Sequence, residues 1–249
     1  MKYFVVIISA IFFFLIGNTS FAQDAEVKKK DTNVAVTNGL LALQVGVPSG
    51  GMQNAIQNNM GNIGFGIGLS VLSNPFAWGK NKKNSPVRIG GEIGYTYYGR
   101  FITDVNIQGY GGSYKTSYGI LDLNAVLQFR PAEQLPFNPF VEILAGGNFY
   151  LSSIKENLNA IESALGIQPV NFGGTSSASF NKGIGLGFNI GKVRRDAPQF
   201  TIRAAYNWGT SIKYIVRNSL IYNSSNNRLE YYTDRAPVRY LMLQAGIGF

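Results

Sequence analysis

The 249-residue sequence predicts an all-β fold, an eight-stranded antiparallel up-and-down β-barrel that crosses a membrane. Three observations predict it. The chain opens with an export signal. Beyond residue 38 it alternates apolar with small or polar residues in eight segments, each about the ten residues a tilted membrane strand needs. It is rich in glycine and aromatics, has no Cys or His, and is only 14% charged. Without Cys, stability has to come from packing or from a membrane, since a disulfide framework is unavailable to this exported chain.

The export signal occupies residues 1–22. Lys2 supplies the positive start, residues 3–17 form an apolar run, and Ser20-Phe21-Ala22 places the cleavage between Ala22 and Gln23. The run is short for a bilayer-spanning helix, and with no Cys at the new start a lipid-modified N-terminus is excluded. Residues 23–38, with Lys28, Lys29 and Lys30, read as a flexible periplasmic leader. The barrel is expected over 39–249 as a single domain.

The first segment, 39–48, sets Leu41, Leu43, Val45 and Val47 on one face. In the second, 62–73, Phe65, Ile67, Leu69 and Val71 alternate with Gly64, Gly66, Gly68 and Ser70. The third, 86–98, carries Val87, Ile89, Ile93, Tyr95 and Tyr97, and the fourth, 117–130, carries Leu121, Leu123, Ala125, Leu127 and Phe129. The fifth, 139–151, presents Val141, Ile143, Ala145 and Phe149. In the sixth, 180–192, Ile184, Leu186, Phe188 and Ile190 alternate with Gly183, Gly185, Gly187 and Asn189. The seventh, 199–213, presents Phe200, Ile202, Ala204, Tyr206 and Trp208, and the eighth, 236–249, presents Leu241, Leu243, Ala245, Ile247 and Phe249. One such segment is compatible with a soluble sandwich. An even number of them, with aromatics toward the ends of the apolar faces, fits a membrane barrel with interfacial girdles.

Short spacers at 74–85, 131–138 and 193–198 are expected as inner turns, and longer ones at 49–61, 99–116, 152–179 and 214–235 as outer loops. That asymmetry puts both chain ends in the periplasm. Ile154, Leu158, Ile161 and Leu165 fall at helical spacing, so a short helix ending near Gly166 is expected in the third outer loop. It would cover its own loop, cap the barrel mouth or dock a partner. The fourth outer loop reads as two strands extended beyond the membrane and joined at 223–227. The basic clusters Lys80, Lys82, Lys83 and Lys192, Arg194, Arg195 lie in inner turns, either as headgroup anchors or as a periplasmic docking face.

With the apolar faces turned to lipid, Arg88, Glu92, Asp122, Arg130, Glu142, Arg203 and Gln244 share the interior, with Gln44, Asn124, Gln128, Asn148, Tyr150 and Asn207. Three acids and three arginines balance, as an unpaired buried charge would be costly. An eight-stranded barrel is just wide enough for side chains to fill. The interior is therefore either a satisfied polar plug or a narrow ion path gated by re-pairing of Arg and carboxylate. The inward glycines of the second and sixth segments leave room near the wall, or make space for Arg203, Tyr150 or Tyr240.

Several chemistries drop out. The absence of His removes any Ser-His dyad and His metal site, and the absence of Cys removes thiolate chemistry. The glycine-rich pieces GNIGFGIG and GIGLGFNIG lack the Lys-Ser/Thr of a phosphate-binding loop. No catalytic residue, cofactor, metal or nucleic acid is expected, and the net charge of +9 points to anionic lipid headgroups instead.

The cleavage site, the eight alternating segments and the ending RYLMLQAGIGF together resemble the small outer-membrane β-barrel family, the porin-like domain of OmpA- and OmpX-type barrels. The resemblance covers about 39–249. It implies a cell outer-membrane location, lipid contact and insertion by the barrel-assembly machinery. Tyr240, Leu243, Ala245, Ile247 and Phe249 match the recurrent positions of that machinery's recognition signal. Members serve as structural barrels, adhesion proteins, narrow channels, or subunits of secretion and assembly complexes. The enzymes among them use a His, which this chain lacks. The resemblance thus implies a non-enzymatic, largely plugged barrel acting as a structural or interaction protein through its loops, with an envelope protein partner. The alternative is a narrow porin-like channel for ions or small hydrophilic solutes.

Overall fold

The computed structural model describes residues 37–56, 63–77, 85–107, 110–131, 137–158, 166, 168–191, 199–226 and 228–249. The signal peptide, nearly all of the leader and both inner-turn basic clusters lie outside them. Its elements are β1 (Thr37–Pro48), α1 (Gly51–Ala55), β2 (Gly64–Ser73), β3 (Val87–Ile107), β4 (Tyr110–Phe129), β5 (Phe137–Glu156), β6 (Asn171–Ile190), β7 (Gln199–Ile215), β8 (Ile221–Asn223), β9 (Arg228–Glu230) and β10 (Thr233–Gly248).

Eight of the strands close an antiparallel barrel in the order β1-β10-β7-β6-β5-β4-β3-β2. β10 closes it. On one edge Leu43 of β1 pairs with Ala245, and on the other Ile202 of β7 pairs with the same residue. Neighbouring wall strands are consecutive in sequence apart from the closing pair β1–β10 and the pair β7–β10, between which the small β8–β9 hairpin is inserted. Closure leaves the backbone groups of the wall bonded to one another, which is what lets strands cross a hydrocarbon layer. Among the described residues no helix is long and apolar enough to cross a membrane.

The outward faces match the predicted parity strand by strand. Leu43 is 72% exposed, Leu186 64% and Phe180 61%, and a continuous apolar belt of such residues circles the molecule. Water cannot cover a belt of this size on a stable monomer, so the belt is covered by membrane hydrocarbon. Aromatics rim it. Toward the end that holds Thr37 and Phe249 (the turn end) stand Phe129, Phe200, Phe249 and the pair Phe137–Phe188, whose rings lie 4.9 Å apart. Toward the opposite, loop end stand Tyr95, Tyr97, Phe149, Phe180 and the stacked pair Tyr206–Trp208 at 5.9 Å.

Three expectations are corrected. First, β3, β4, β5 and β6 run well past the predicted segment ends, so most of 99–116 and 152–179 is strand and not loop. Beyond the belt the pairing β3–β4–β5–β6 continues without a break in strand order, from Arg100↔Ser117 to Lys155↔Asn171. Small irregularities re-aim the strands on the way. One falls between Tyr97 and Arg100, where Gly99 takes a φ of +89°, a conformation glycine adopts without a Cβ penalty. Second, Ile154 is not the start of a helix. It is the fully buried inward end of β5, in step with Tyr150 and Ser152. A spacing of four fits two strand periods as well as one helical turn, which is why the pattern misled; Leu158 has no regular structure, and Ile161 and Leu165 lie outside the described residues. Third, the helix present is α1 in the first loop. It turns Met52 into the barrel mouth, and Ile56 follows, both fully buried.

The fourth loop forms the expected hairpin, with Tyr222 opposite Leu229. Leu220, Tyr222, Leu229 and Tyr231 pack against Val105, Tyr114, Ile154 and Ile215, so the hairpin covers part of the loop end.

Candidate functional site in the barrel interior

The wall sends side chains inward from every strand, and they fill the interior in two tiers. In the tier nearer the turn end, Arg203 of β7 meets two carboxylates from the strands on either side of β4. Its Nη1 lies 2.5 Å from Glu92 Oε2 on β3 and its Nε 3.0 Å from Glu142 Oε1 on β5. All three residues are at most 5% exposed. In surroundings this dry, the pairing is obligatory, since removing one partner strands a buried charge. Gln128 donates to Glu142 Oε2 at 3.2 Å, and Arg130 Nε in turn donates to Gln128 Oε1. The predicted charge network is therefore a chain, Glu92–Arg203–Glu142–Gln128–Arg130.

Around it runs a neutral network. Gln244 donates to Gln44 Oε1 at 2.9 Å, and Gln44 donates to Thr96 Oγ1 at 2.7 Å. Asn181 donates to Asn124 Oδ1 at 3.1 Å and Thr201 to Asn189 Oδ1 at 2.7 Å. The inward glycines make room for this network. A Cβ on Gly68 would sit 2.8 Å from Gln44 Oε1, and one on Gly185 would sit 2.8 Å from Glu142 Cγ. Gly187 likewise makes space for Arg203, one of the alternatives expected, its added Cβ falling 2.8 Å from Arg203 Cβ; Tyr150 and Tyr240 are not among the nearest neighbours of these three glycines. A cavity of about 20 Å³ remains near Arg130, Asn189, Gln199 and Arg203, the room one water needs.

Asp122 stands apart from the arginines. The Tyr240 hydroxyl donates to its Oδ1 at 2.6 Å and reaches Asn148 Oδ1 at 3.5 Å. Among the described residues, Asp122 Oδ2 has no hydrogen-bond partner. The three acids and three arginines thus share one barrel but not one cluster. Arg88 sits at the turn end, where its Nη1 donates to the carbonyls of Ser85 at 2.8 Å and Val87 at 3.2 Å.

Above Asp122 the filling changes to aromatic and aliphatic. Tyr98, Tyr118, Tyr150, Ile212, Val238 and Met52 form one buried cluster with Tyr240 beneath them, and the Tyr118 and Tyr150 rings lie 6.3 Å apart. The sequence reading missed this tier. Its signal was available: Tyr98, Tyr118, Tyr150 and Tyr240 all fall on the inward parity, where hydroxylated rings serve as large fillers.

The residues expected to carry the recognition signal divide by parity. Leu243, Ile247 and Phe249 are exposed on the outer face, Ala245 is on the same face, and Tyr240 points inward to Asp122. Among the described residues, no group of three His, Cys, Asp or Glu is placed to hold a metal ion.

No family model matches the chain, and no curated protein matches it. Solved structures do. Neisserial surface protein A aligns over 85% of this chain and 95% of its own, with 13% identity and a TM-score of 0.42. Ail, the attachment invasion locus protein of Yersinia pestis, aligns over 86% and 97% with 16% identity and a TM-score of 0.42. A major outer membrane protein from Thermus thermophilus aligns over 85% and 98% with 13% identity and a TM-score of 0.47. The closed barrel rests on this chain's own strand pairing.

Proposed function

We propose that the chain is a non-enzymatic outer-membrane β-barrel that acts as a structural or interaction protein through its loop end, with both termini in the periplasm. The observation that carries this reading is the sheet of β3, β4, β5 and β6 standing beyond the lipid belt. Beyond Tyr97, β3 has β4 as its strand partner on one side alone, whereas beyond Asn181 the far edge of β6 is held to β7 through Ser177, Ser179 and Thr210. A strand bonded on one side offers its other edge to a partner's backbone. The filled interior supports the same reading, because a barrel whose lumen holds a plug has its loops as the surface left for work. Lipids of the outer membrane surround the belt, and the barrel-assembly machinery reads the last strand through Tyr240, Leu243, Ala245, Ile247 and Phe249. The partner at the loop end is an envelope or surface protein.

The test shortens the β3–β4 hairpin to a tight turn above Arg100 and compares partners retained from solubilised envelopes. The account expects the shortened chain to keep heat-modifiable migration, the mark of a folded barrel, and to lose a partner the full chain retains. Identical partner sets from the two chains would contradict it.

A further inference from the structure

The register sets three side chains on adjacent strands side by side on the outer wall. Lys182 of β6 pairs with Trp208 of β7, and Trp208 pairs with Arg239 of β10. The Lys182 ammonium lies 5.9 Å from the centre of the Trp208 ring. Two steps farther from the belt, past Pro237, Lys213 pairs with Arg235, also facing outward. Among the described residues, none of these four cations has a carboxylate within ion-pair distance. The neighbouring Asp234 is engaged by the Tyr214 hydroxyl and the Arg235 N–H.

One step the other way, the same three strands become wholly apolar. Ile184 pairs with Tyr206 and Tyr206 with Leu241; below them Leu186 pairs with Ala204 and Ala204 with Leu243. Ala204 is small where its flanking partners are large, and the wall is hollowed there. A hollow of about 410 Å³ opens over Leu186, Ala204 and Leu243 and runs on to Leu43 and Val45 of β1.

We propose that this face is a binding site for a phosphorylated lipid of the surrounding leaflet, with Lys182 and Arg239 holding the phosphate and the hollow over Ala204 taking an acyl chain. The arrangement follows the anatomy of such a molecule: a concentrated negative charge, then hydrocarbon, in that order down the wall. Lys supplies a point charge and Arg a planar fork, both suited to phosphate oxygens. The indole between them belongs at the same depth, its ring in the apolar layer and its N–H toward the headgroups. Lys115 and Lys155, elsewhere on the loop-end wall, stand over a hollow lined by the hydroxyls of Ser117, Ser153 and Ser176, and lack a wholly apolar one that would take an acyl chain. The inference rests on the membrane placement of the belt and is independent of the interaction role.

Trp208 is a built-in reporter. The chain has two tryptophans, so Trp78→Phe leaves Trp208 as the sole indole. This full-length protein, held in neutral detergent, is titrated with phosphatidic acid and its emission followed. A saturable shift is expected. In Lys182→Gln/Arg239→Gln the affinity should fall about thirtyfold, a roughly fivefold share for each cation near a lipid headgroup. Lys115→Gln/Lys155→Gln should leave it unchanged, and Ala204→Phe, which fills the hollow with both cations intact, should weaken it. Diacylglycerol should give no comparable shift, and inorganic phosphate should not displace the lipid. Heat-modifiable migration of each variant reports the barrel separately from the site. Equal affinities in the two double variants would overturn the proposal. So would equal binding of diacylglycerol, which would make the face merely greasy, or displacement by inorganic phosphate, which would make it a site for soluble anions.

Discussion

The two halves of the barrel follow opposite rules. Near the turn end the outer wall is apolar and the inside holds Arg203, Glu92, Glu142, Gln44 and Gln244. Near the loop end the outer wall carries Ser113, Lys115, Ser117, Ser153 and Lys155, and the inside holds Tyr98, Tyr118, Tyr150, Ile154 and Val238. The strands are continuous through the change, and β4 and β5 keep their period-two alternation across it. What changes is the solvent outside. Where hydrocarbon surrounds the wall, apolar side chains face out and the polar ones need partners within. Where water surrounds it, the polar side chains face out and an ordinary hydrophobic core forms inside. The molecule is a membrane barrel and a soluble barrel joined end to end on the same strands.

The sharpest way to break the comparison is to remove the charge at the centre of the polar half. Arg203→Ala leaves Glu92 and Glu142 facing each other in a dry interior, and should destabilise the barrel by about 3–5 kcal/mol. Urea unfolding in micelles, followed by heat-modifiable migration, measures this. The triple variant Arg203→Met/Glu92→Gln/Glu142→Gln should recover much of the loss.

In the apolar half the corresponding change is Met52→Ala, which removes the plug that α1 inserts. Deleting a fully buried Met should cost about 2–5 kcal/mol, the lower part of that range if the short helix settles into the gap. The same unfolding experiment reads it, and no charge-neutralising partner change should rescue it. That contrast in rescue, more than the size of either effect, separates the two halves.

Tyr240→Phe probes the border between them. The ring stays in the aromatic cluster, while Asp122 Oδ1 loses the hydroxyl that donates to it at 2.6 Å. A destabilisation of about 1–3 kcal/mol is expected, the cost of an unsatisfied buried acceptor. A smaller effect than in Tyr240→Ala would show that ring and hydroxyl act separately.

The gentlest effect lies outside the membrane. In the β8–β9 hairpin, Asn226 and Asn223 donate to Glu230 Oε1 at 2.6 and 2.9 Å, which holds the carboxyl below the usual carboxylate range. A lowered folded-state value means the stabilisation is present above the ordinary carboxylate range and is lost as pH falls through the lower, folded value. Amide protection in the hairpin, taken relative to the intrinsic exchange rate at each pH, should therefore fall in acid, and Glu230→Gln should flatten that dependence.

This inversion explains how much of the fold was legible in the sequence. Outward apolar alternation in Leu41–Leu43–Val45 or Ile184–Leu186–Phe188 is a local signal, and it placed the eight strands and their parity. It ended at the belt's edge because the search was for apolar residues facing out. The loop-end continuation, with Tyr114, Tyr118 and Ile154 facing in and serines and lysines facing out, has the same period with the faces exchanged. Which interior groups meet was less legible. Glu92, Glu142 and Arg203 come from three strands brought together only by closure, and nothing local tells Asp122 to take Tyr240 in place of an arginine. The space that Gly68 and Gly185 leave was visible as small residues; the side chains that occupy it, Gln44 and Glu142, depend on register.

The central claim is that the interior is filled from end to end, by paired charges in one half and by tyrosines and α1 in the other. Single-channel recording of the full-length chain in a planar bilayer tests it most directly. The account predicts a silent barrel, with Glu92→Ala as silent as the parent. Steady openings whose conductance changes in Glu92→Ala or Arg203→Ala would contradict it and establish a narrow channel through the Arg203 network.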